Sequence, residues 1–263
     1  MQMVDLGDVQ LHYREDGDRD GAPIVFANSL GTDLRLWDQV VPLLPEGLRI
    51  IRYDKRGHGL SECPRPPYSM GALVRDAERL LDHLQVRDCI FVGLSIGGMI
   101  AQGLAVKRLD LVRGLVLSNT AAKIGQPDMW QDRIETVRAG GIEALADATM
   151  ERWFPKAFRE GDPTFPLWRN MLTRTPAEGY IGCASAIAGT DFYTPTSGLR
   201  LPTLGLAGTE DGSTPPDLVR ETVDLIHGSR FELIRKAGHL PCVDKPQDYA
   251  AALTRFLKET GHV

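Results

Sequence analysis

The 263 residues suffice for one large α/β domain or for one domain that carries an insertion. Hydrophobic residues make up 43% of the chain and charged residues 25%, which excludes an intrinsically disordered protein because a sizeable core can form. Thirty basic and 35 acidic side chains give a net charge of −5, which disfavours a nucleic-acid partner, and no apolar run approaches the roughly 18–20 residues of a membrane span.

The cysteines and the amino-terminal residues predict the compartment. Four cysteines lie far apart and form no CxxC or CxxH pair, so we expect free thiols rather than a metal site or a redox pair. The amino-terminal residues lack the basic and then apolar order of a secretory signal. Both observations predict a cytoplasmic protein.

Short apolar runs alternate with amphipathic stretches along the chain. A helix is predicted over residues 70–84, with Ser69 as its N-cap, another over 99–105, and a last one over about 246–260. The predicted strands cover residues 24–28, 48–53, 89–93, 112–118, 202–207 and 230–235. This alternation predicts a doubly wound, mostly parallel sheet of the α/β class.

Residues 121–196 interrupt the alternation. They contain no convincing strand, are helix-like, and hold three of the four tryptophans. Because this segment lies between two predicted core strands, we expect a helical cap inserted into a core formed by residues 1–120 and 197–263.

The sharpest chemical signal is a GxSxG motif centred on Ser95. An apolar strand precedes it and a helix follows, which is the context of a nucleophile elbow. The flanking glycines, Gly93 and Gly97, remove Cβ atoms from a tight turn, and the start of the helix favours negative charge nearby. The motif predicts that Ser95 is a catalytic nucleophile.

A serine hydroxyl needs a base to become nucleophilic. His239 follows the last predicted strand, at the carboxyl edge of the sheet where ligands bind, and is the predicted base. His58 lies in a glycine-rich turn after the strand 48–53 and is the alternative, although such a turn more often holds a loop together.

The third member of a triad is an acid that orients the imidazole. The segment after the strand 112–118 holds Asn119 and no carboxylate, whereas the loop after the strand 202–207 holds Glu210 and Asp211. We predict Asp211, with Glu210 as the competitor. The chain order of serine, aspartate and histidine is that of α/β-hydrolases.

An oxyanion hole requires two backbone donors aimed at the tetrahedral oxygen. The N–H of Ile96, directly after the nucleophile, is the first candidate. The second should come from the loop after the strand 24–28, and we choose the N–H of Leu30.

Taken together, these residues resemble the α/β-hydrolase superfamily over essentially the whole chain. Residues 28–33 read NSLGTD where most cofactor-free members have His-Gly, and this loop resembles the 3-oxoadipate enol-lactonases. Further segments resemble the same family, at residues 34–37, 52–59, 93–98, 118–125, 151–154 and 175–180.

The resemblance implies hydrolysis of 3-oxoadipate enol-lactone to 3-oxoadipate in the bacterial β-ketoadipate pathway. It implies a small anionic lactone as the partner of the protein and no metal or organic cofactor, because hydrolysis needs only protein groups and water. No motif indicates an oligomeric state.

The carboxylate of such a lactone needs a positive group or several donors. The cap has eight basic and ten acidic residues, so anion recognition must be local. Trp130 and Arg133 share a helix face by their spacing and are the predicted lid-side wall, with Trp153 as a further wall residue and Asn28 as a substrate-binding candidate. The alternative for these cap residues is ordinary packing and a solvated arginine.

Two other function classes stay open. A small-ester carboxylesterase, or a perhydrolase of the non-metal haloperoxidase type, would share the fold and triad. A non-catalytic binding protein on a hydrolase scaffold would also retain these residues. Enzymes of this fold that use an aspartate nucleophile are excluded by Ser95.

Overall fold

One eight-stranded sheet forms the centre of the computed structural model, which describes residues 1–263. The strand order is β1-β2-β4-β3-β5-β6-β7-β8, with β2 antiparallel to its neighbours and all pairs from β4 to β8 parallel. The strands are β1 (Gln2–Asp5), β2 (Gln10–Gly17), β3 (Ala22–Ala27), β4 (Leu48–Tyr53), β5 (Cys89–Leu94), β6 (Val112–Ser118), β7 (Thr203–Gly208) and β8 (Arg230–Ile234).

The strand order reverses at β3, and this positions the site. The chain runs from β3 outward to β4 and then returns to β5 on the other side of β3. Right-handed crossovers in opposite directions place helices on both faces, and the carboxyl ends of β3 and β5 then border a crevice. The predicted doubly wound, mostly parallel α/β sheet is confirmed.

The helices of the core follow the strands closely. They are α1 (Met70–His83), α2 (Ile96–Lys107), α9 (Pro216–Asp224), α10 (Pro241–Asp244) and α11 (Pro246–Glu259), and two 3₁₀ turns cover Leu34–Trp37 and Val41–Leu43. The predicted cap of α1 is present, because the Ser69 hydroxyl accepts a hydrogen bond from the Ala72 N–H at 3.2 Å. The helix predicted to start at residue 99 begins at Ile96, since the turn at Ser95 opens directly into it.

Six helices lie between β6 and β7, within or at the edge of residues 121–196, the segment called the cap segment below. They are α3 (Pro127–Gly140), α4 (Glu143–Trp153), α5 (Lys156–Gly161), α6 (Phe165–Thr173), α7 (Ala177–Ala188) and α8 (Tyr193–Ser197). Their buried apolar side chains join those of the sheet in one continuous hydrophobic cluster. No helix of the protein is long and apolar enough to cross a membrane.

Candidate active site

Ser95 lies in the turn that connects β5 to α2. Its φ of 58° is positive, a strained conformation for a residue other than glycine and one found at functional sites. The turn packs tightly, because a Cβ on Gly97 would lie 2.2 Å from the Ala27 carbonyl oxygen and one on Gly93 would lie 2.2 Å from that of Gly97. The two glycines therefore let β5, α2 and β3 meet at this point, as the motif indicated.

Asp211 and His239 meet beyond the ends of β7 and β8. Nδ1 of His239 lies 3.0 and 3.1 Å from the two carboxylate oxygens of Asp211, and both residues are buried. Glu210, the competing acid, is exposed. The structure therefore brings Asp211, and not Glu210, to the imidazole.

The Asp211 carboxylate is held by several donors besides His239. It accepts hydrogen bonds from the Asn119 amide at 2.8 Å, the Thr214 hydroxyl at 2.7 Å and the Ser213 N–H at 2.7 Å. Burial acts to raise the pKa of Asp211, but His239 and these donors outweigh it, and the pKa lies below its usual value. An ionised Asp211 keeps the proton of neutral His239 on Nδ1, which leaves Nε2 free to act as a base.

Nε2 of His239 has one hydroxyl within hydrogen-bond distance. The Ser29 Oγ lies 3.5 Å from it, whereas the Ser95 hydroxyl makes no hydrogen bond to it in this structure. Hydrogen bonds of a catalytic site are often long in the free enzyme and shorten when substrate binds. Ser29, Ser95 and His239 all line the same cavity.

The two predicted oxyanion donors are available. Neither the N–H of Leu30 nor that of Ile96 donates to another protein group, and Leu30 lines the cavity. The neighbouring N–H of Gly31 donates to Nε2 of His58 at 3.0 Å. His58 therefore holds the loop after β3 in place and does not face Ser95. This is the loop-holding role that its glycine-rich turn indicated.

The prediction that Asn28 binds substrate needs correction. Its side-chain amide donates to the Tyr53 carbonyl at 2.8 Å and accepts from the Trp37 indole N–H at 2.7 Å. Both ends of the amide are therefore engaged inside the core, and Asn28 does not line the cavity. It anchors the loop that carries Leu30.

The cavity above Ser95 has a volume of about 330 Å³. The predicted wall residues Trp130, Arg133 and Trp153 all line it, and the guanidinium carbon of Arg133 lies 5.3 Å from the centre of the Trp130 ring. Arg152, which no sequence pattern indicated, also lines the cavity. No aspartate or glutamate lines it, and neither arginine forms an ion pair.

The cap segment is hydrogen-bonded to both of the loops that carry Asp211 and His239. The His239 N–H donates to the Trp153 carbonyl at 2.8 Å, and the Gly212 N–H donates to the Arg152 carbonyl at 3.1 Å. The carboxyl end of α4 therefore contacts the histidine loop and the aspartate loop at once. These backbone contacts, like the Asn119 bond to Asp211, had no signal in the sequence beyond the position of each residue after a regular element.

Comparison with known proteins shows which sequences and structures this chain is similar to. Residues 24–252 match the alpha/beta hydrolase family. The chain is 34% identical to 3-oxoadipate enol-lactonase 2 of Acinetobacter baylyi over 95% of this chain and 94% of that protein. The structure of an enol-lactonase from Burkholderia xenovorans matches with a TM-score of 0.95 and 35% identity, covering 98% of this chain and 100% of that one. A thermophilic esterase from Thermogutta terrifontis matches with a TM-score of 0.92 and 28% identity over the full length of both chains.

Proposed function

We propose that this chain hydrolyses 3-oxoadipate enol-lactone to 3-oxoadipate. The premise is that the chain belongs to the alpha/beta hydrolase family and, within it, to the 3-oxoadipate enol-lactonases. The chain is a carboxylic ester hydrolase, as its enol-lactonase relatives are. One observation supports the specific substrate most strongly: the cavity that holds Ser95 and His239 is lined by two arginines without acid partners and by no carboxylate. We further assign the reaction to the bacterial β-ketoadipate pathway and residues 121–196 to the role of a cap.

The proposed mechanism starts at Ser95. Nε2 of His239 takes the proton of the hydroxyl as Oγ attacks the lactone carbonyl, and the Leu30 and Ile96 N–H groups stabilise the resulting oxyanion. Collapse of this intermediate breaks the ring C–O bond and releases an enolate, a better leaving group than a simple alkoxide. The imidazolium, held by Asp211, returns its proton to that enol oxygen, and the enol tautomerises to the ketone.

The second half of the reaction frees the enzyme. The opened chain stays attached to Ser95 as an acyl-enzyme, and His239 now takes a proton from water, which attacks the ester carbonyl. The same two N–H groups stabilise the second oxyanion. Release of the acid restores the serine hydroxyl, so the net reaction consumes one water per lactone.

The first experiment replaces Ser95 by alanine. We expect the decay of the enol-lactone chromophore to slow by about a thousandfold or more, because a triad without its nucleophile retains only residual catalysis. The burst of p-nitrophenol from a p-nitrophenyl ester should disappear as well. A Ser95→Ala protein with near-normal turnover would refute the acyl-enzyme mechanism, and a wild-type protein that binds the lactone but turns over neither it nor the ester would be a pure binding protein.

The second experiment tests the anion-binding role of the cap arginines. Arg133→Ala and Arg152→Ala should each raise KM for the anionic lactone by about tenfold, since a charge-assisted contact contributes roughly 1.4 kcal/mol or more. KM for neutral phenyl acetate should change little. Arg138→Ala is the matched control, because Arg138 lies on the same helix as Arg133 but is exposed and outside the cavity.

The kinetics of the arginine variants on the two substrates also distinguish the lactonase from a second candidate function. The second candidate is a small-ester esterase, which the likeness to the Thermogutta terrifontis esterase supports, or a perhydrolase of the same fold. Such an enzyme would turn over phenyl acetate, or form peracid, faster than it opens the lactone, and the two arginine variants would affect neither substrate selectively.

A further inference from the structure

Lys55 is a buried cation beside the loop that follows β3. It lies two residues after β4 and is 2% exposed, with Nζ 2.6 Å from the Ser29 carbonyl oxygen and 3.2 Å from the Thr32 carbonyl oxygen. These two carbonyls are its hydrogen-bond partners, and it forms no ion pair. Because burial of an unpaired ammonium is costly, lysine rarely occupies such a place unless the charge serves a purpose.

The nearest acids do not neutralise Lys55 by direct contact. The Asp33 carboxylate is held by the Arg35 guanidinium at 2.6 Å, and the Asp54 carboxylate contacts Nδ1 of His12 at 2.8 Å. The full charge of the ammonium therefore acts on the two carbonyls that it contacts, in surroundings with little water to screen it.

The Ser29 carbonyl and the Leu30 N–H belong to one planar peptide group, in which C=O and N–H point in opposite directions. A cation on the carbonyl oxygen fixes the plane of this peptide and draws electron density from its nitrogen, which makes the N–H a stronger donor. We propose that Lys55 is a positioning residue that aims and polarises the Leu30 N–H for the oxyanion. The proposal rests on the proposed function, since it assumes that Leu30 is an oxyanion donor.

The charge of Lys55 should make the reaction sensitive to alkali. Burial lowers the pKa of Lys55 to about 8, partly opposed by Cys183, Asp54 and Asp33. Burial also keeps His58 neutral, with a pKa well below its usual value, and raises the pKa of Cys183 to about 12. Of these facing groups Lys55 is the one that changes charge near pH 8, so the polarisation is present below that pH and is lost as pH rises through it.

The test compares Lys55→Met and Lys55→Arg with wild type at several pH values, on both the enol-lactone and neutral phenyl acetate, after subtraction of uncatalysed hydrolysis. We expect Lys55→Met to lower kcat by about tenfold to a hundredfold on both substrates with little change in KM, because the oxyanion forms only after binding. Wild-type kcat should fall as pH rises through about 8. Lys55→Met should lack that fall, and Lys55→Arg should recover part of the rate and keep it to higher pH.

Two controls keep the result interpretable. Irreversible labelling of Ser95 with a fluorophosphonate, run to completion, counts intact sites whatever the turnover rate, so kcat is expressed per active site and a misfolded fraction does not lower it. Lys107→Met, a change at a half-exposed lysine on α2, should leave kcat unchanged. Equal kcat in Lys55→Met and wild type, a loss confined to KM, or an alkaline fall that persists in Lys55→Met would overturn the proposal. Failure of the lactone assignment would appear separately, as activity on phenyl acetate alone.

Discussion

At the scale of single residues, the hydrogen-bond donors around Asp211 determine which side chain can occupy its position. Asp211 receives hydrogen bonds from a histidine ring, an amide, a hydroxyl and backbone N–H groups, so nearly every lone pair of the carboxylate is used. Because all of these neighbours donate hydrogen bonds, the site stabilises a carboxylate, whereas the NH₂ of a neutral amide would have no acceptor there. This explains why a carboxylate at this position orients the His239 ring so firmly.

Replacement of Asp211 by asparagine should therefore lower kcat by about three to four orders of magnitude, as loss of the aspartate does in other triads. The asparagine NH₂ would face donors such as the Asn119 amide and could no longer fix the imidazole tautomer. Steady-state turnover of the lactone measures the effect. Glu210→Gln is the control and should stay near wild type, and the reverse pattern would move the acid to Glu210.

Asp244 gives the protein a pH dependence of stability. One of its oxygens accepts from the Gly238 N–H at 2.7 Å and the other is buried without a partner. Burial raises the pKa of Asp244 from 3.8 to about 7. The folded state therefore holds this proton more tightly than the unfolded state, and stability falls as pH rises through the window between these values.

An Asp244→Asn variant should remove that fall. We expect it to be more stable than wild type at pH 8 by roughly 1–3 kcal/mol, because the amide can still accept from Gly238 without the cost of a buried charge. The difference should vanish near pH 4, where both groups are neutral. Urea unfolding at the two pH values measures it, and a constant difference would show that Asp244 is not the titrating group.

At the scale of elements, the cap segment meets the core through backbone contacts that exclude side chains. A Cβ on Gly179, in α7, would lie 2.0 Å from the Gly57 carbonyl oxygen in the loop after β4. Helix and loop therefore touch backbone to backbone. A larger residue at this point has to push α7 away from the core.

Gly179→Ala should consequently destabilise the protein by about 1–3 kcal/mol and raise KM, since strain from overpacking has no flexible neighbour to absorb it. Thermal unfolding and lactone kinetics measure the two effects. Gly161→Ala, at the end of α5, is the matched control because a Cβ there meets open space. Similar behaviour of the two variants would contradict the close contact.

Most strands and the residues that follow them can be predicted from the sequence. The residues that cannot be predicted depend on contacts between distant parts of the chain. The strands at residues 48–53 and 112–118 coincide with β4 and β6, because each is a short run of mostly buried, mainly aliphatic residues. Ser95, Asp211 and His239 each follow a strand, so topology alone brings them to one edge. No sequence pattern marks Lys55 or Arg152, because their neighbours come from distant elements, and the prediction for Asn28 is wrong because its amide turns into the core.

At the scale of the whole molecule, the cap segment and the core should unfold together. They share one hydrophobic cluster, and the hydrogen bonds from His239 and Gly212 to the end of α4 cross between them. The acid-free cavity between them carries two positive side chains within a protein of net charge −5. The net charge of the protein therefore gives an anion no overall attraction, and the two arginines supply a local positive charge in the cavity.

The distribution of tryptophans makes the cooperativity measurable. Trp37 lies in the core and the other three lie in the cap segment, so in a Trp37→Phe variant fluorescence reports the cap segment while circular dichroism reports the whole chain. We expect both probes to give one urea midpoint in this variant, as for two-state unfolding. A fluorescence transition at clearly lower urea would show that the cap segment melts independently.

The two hydrogen bonds that α4 accepts have a consequence for protein engineering. One way to change the substrate range would be to exchange the segment between the end of β6 and the start of β7 for that of a relative. Here the carbonyls of Arg152 and Trp153 also accept hydrogen bonds from the loops that carry Asp211 and His239. A transplanted segment must present two carbonyls in the same places, or the chimera will acquire a new pocket and lose the alignment of Asp211 and His239.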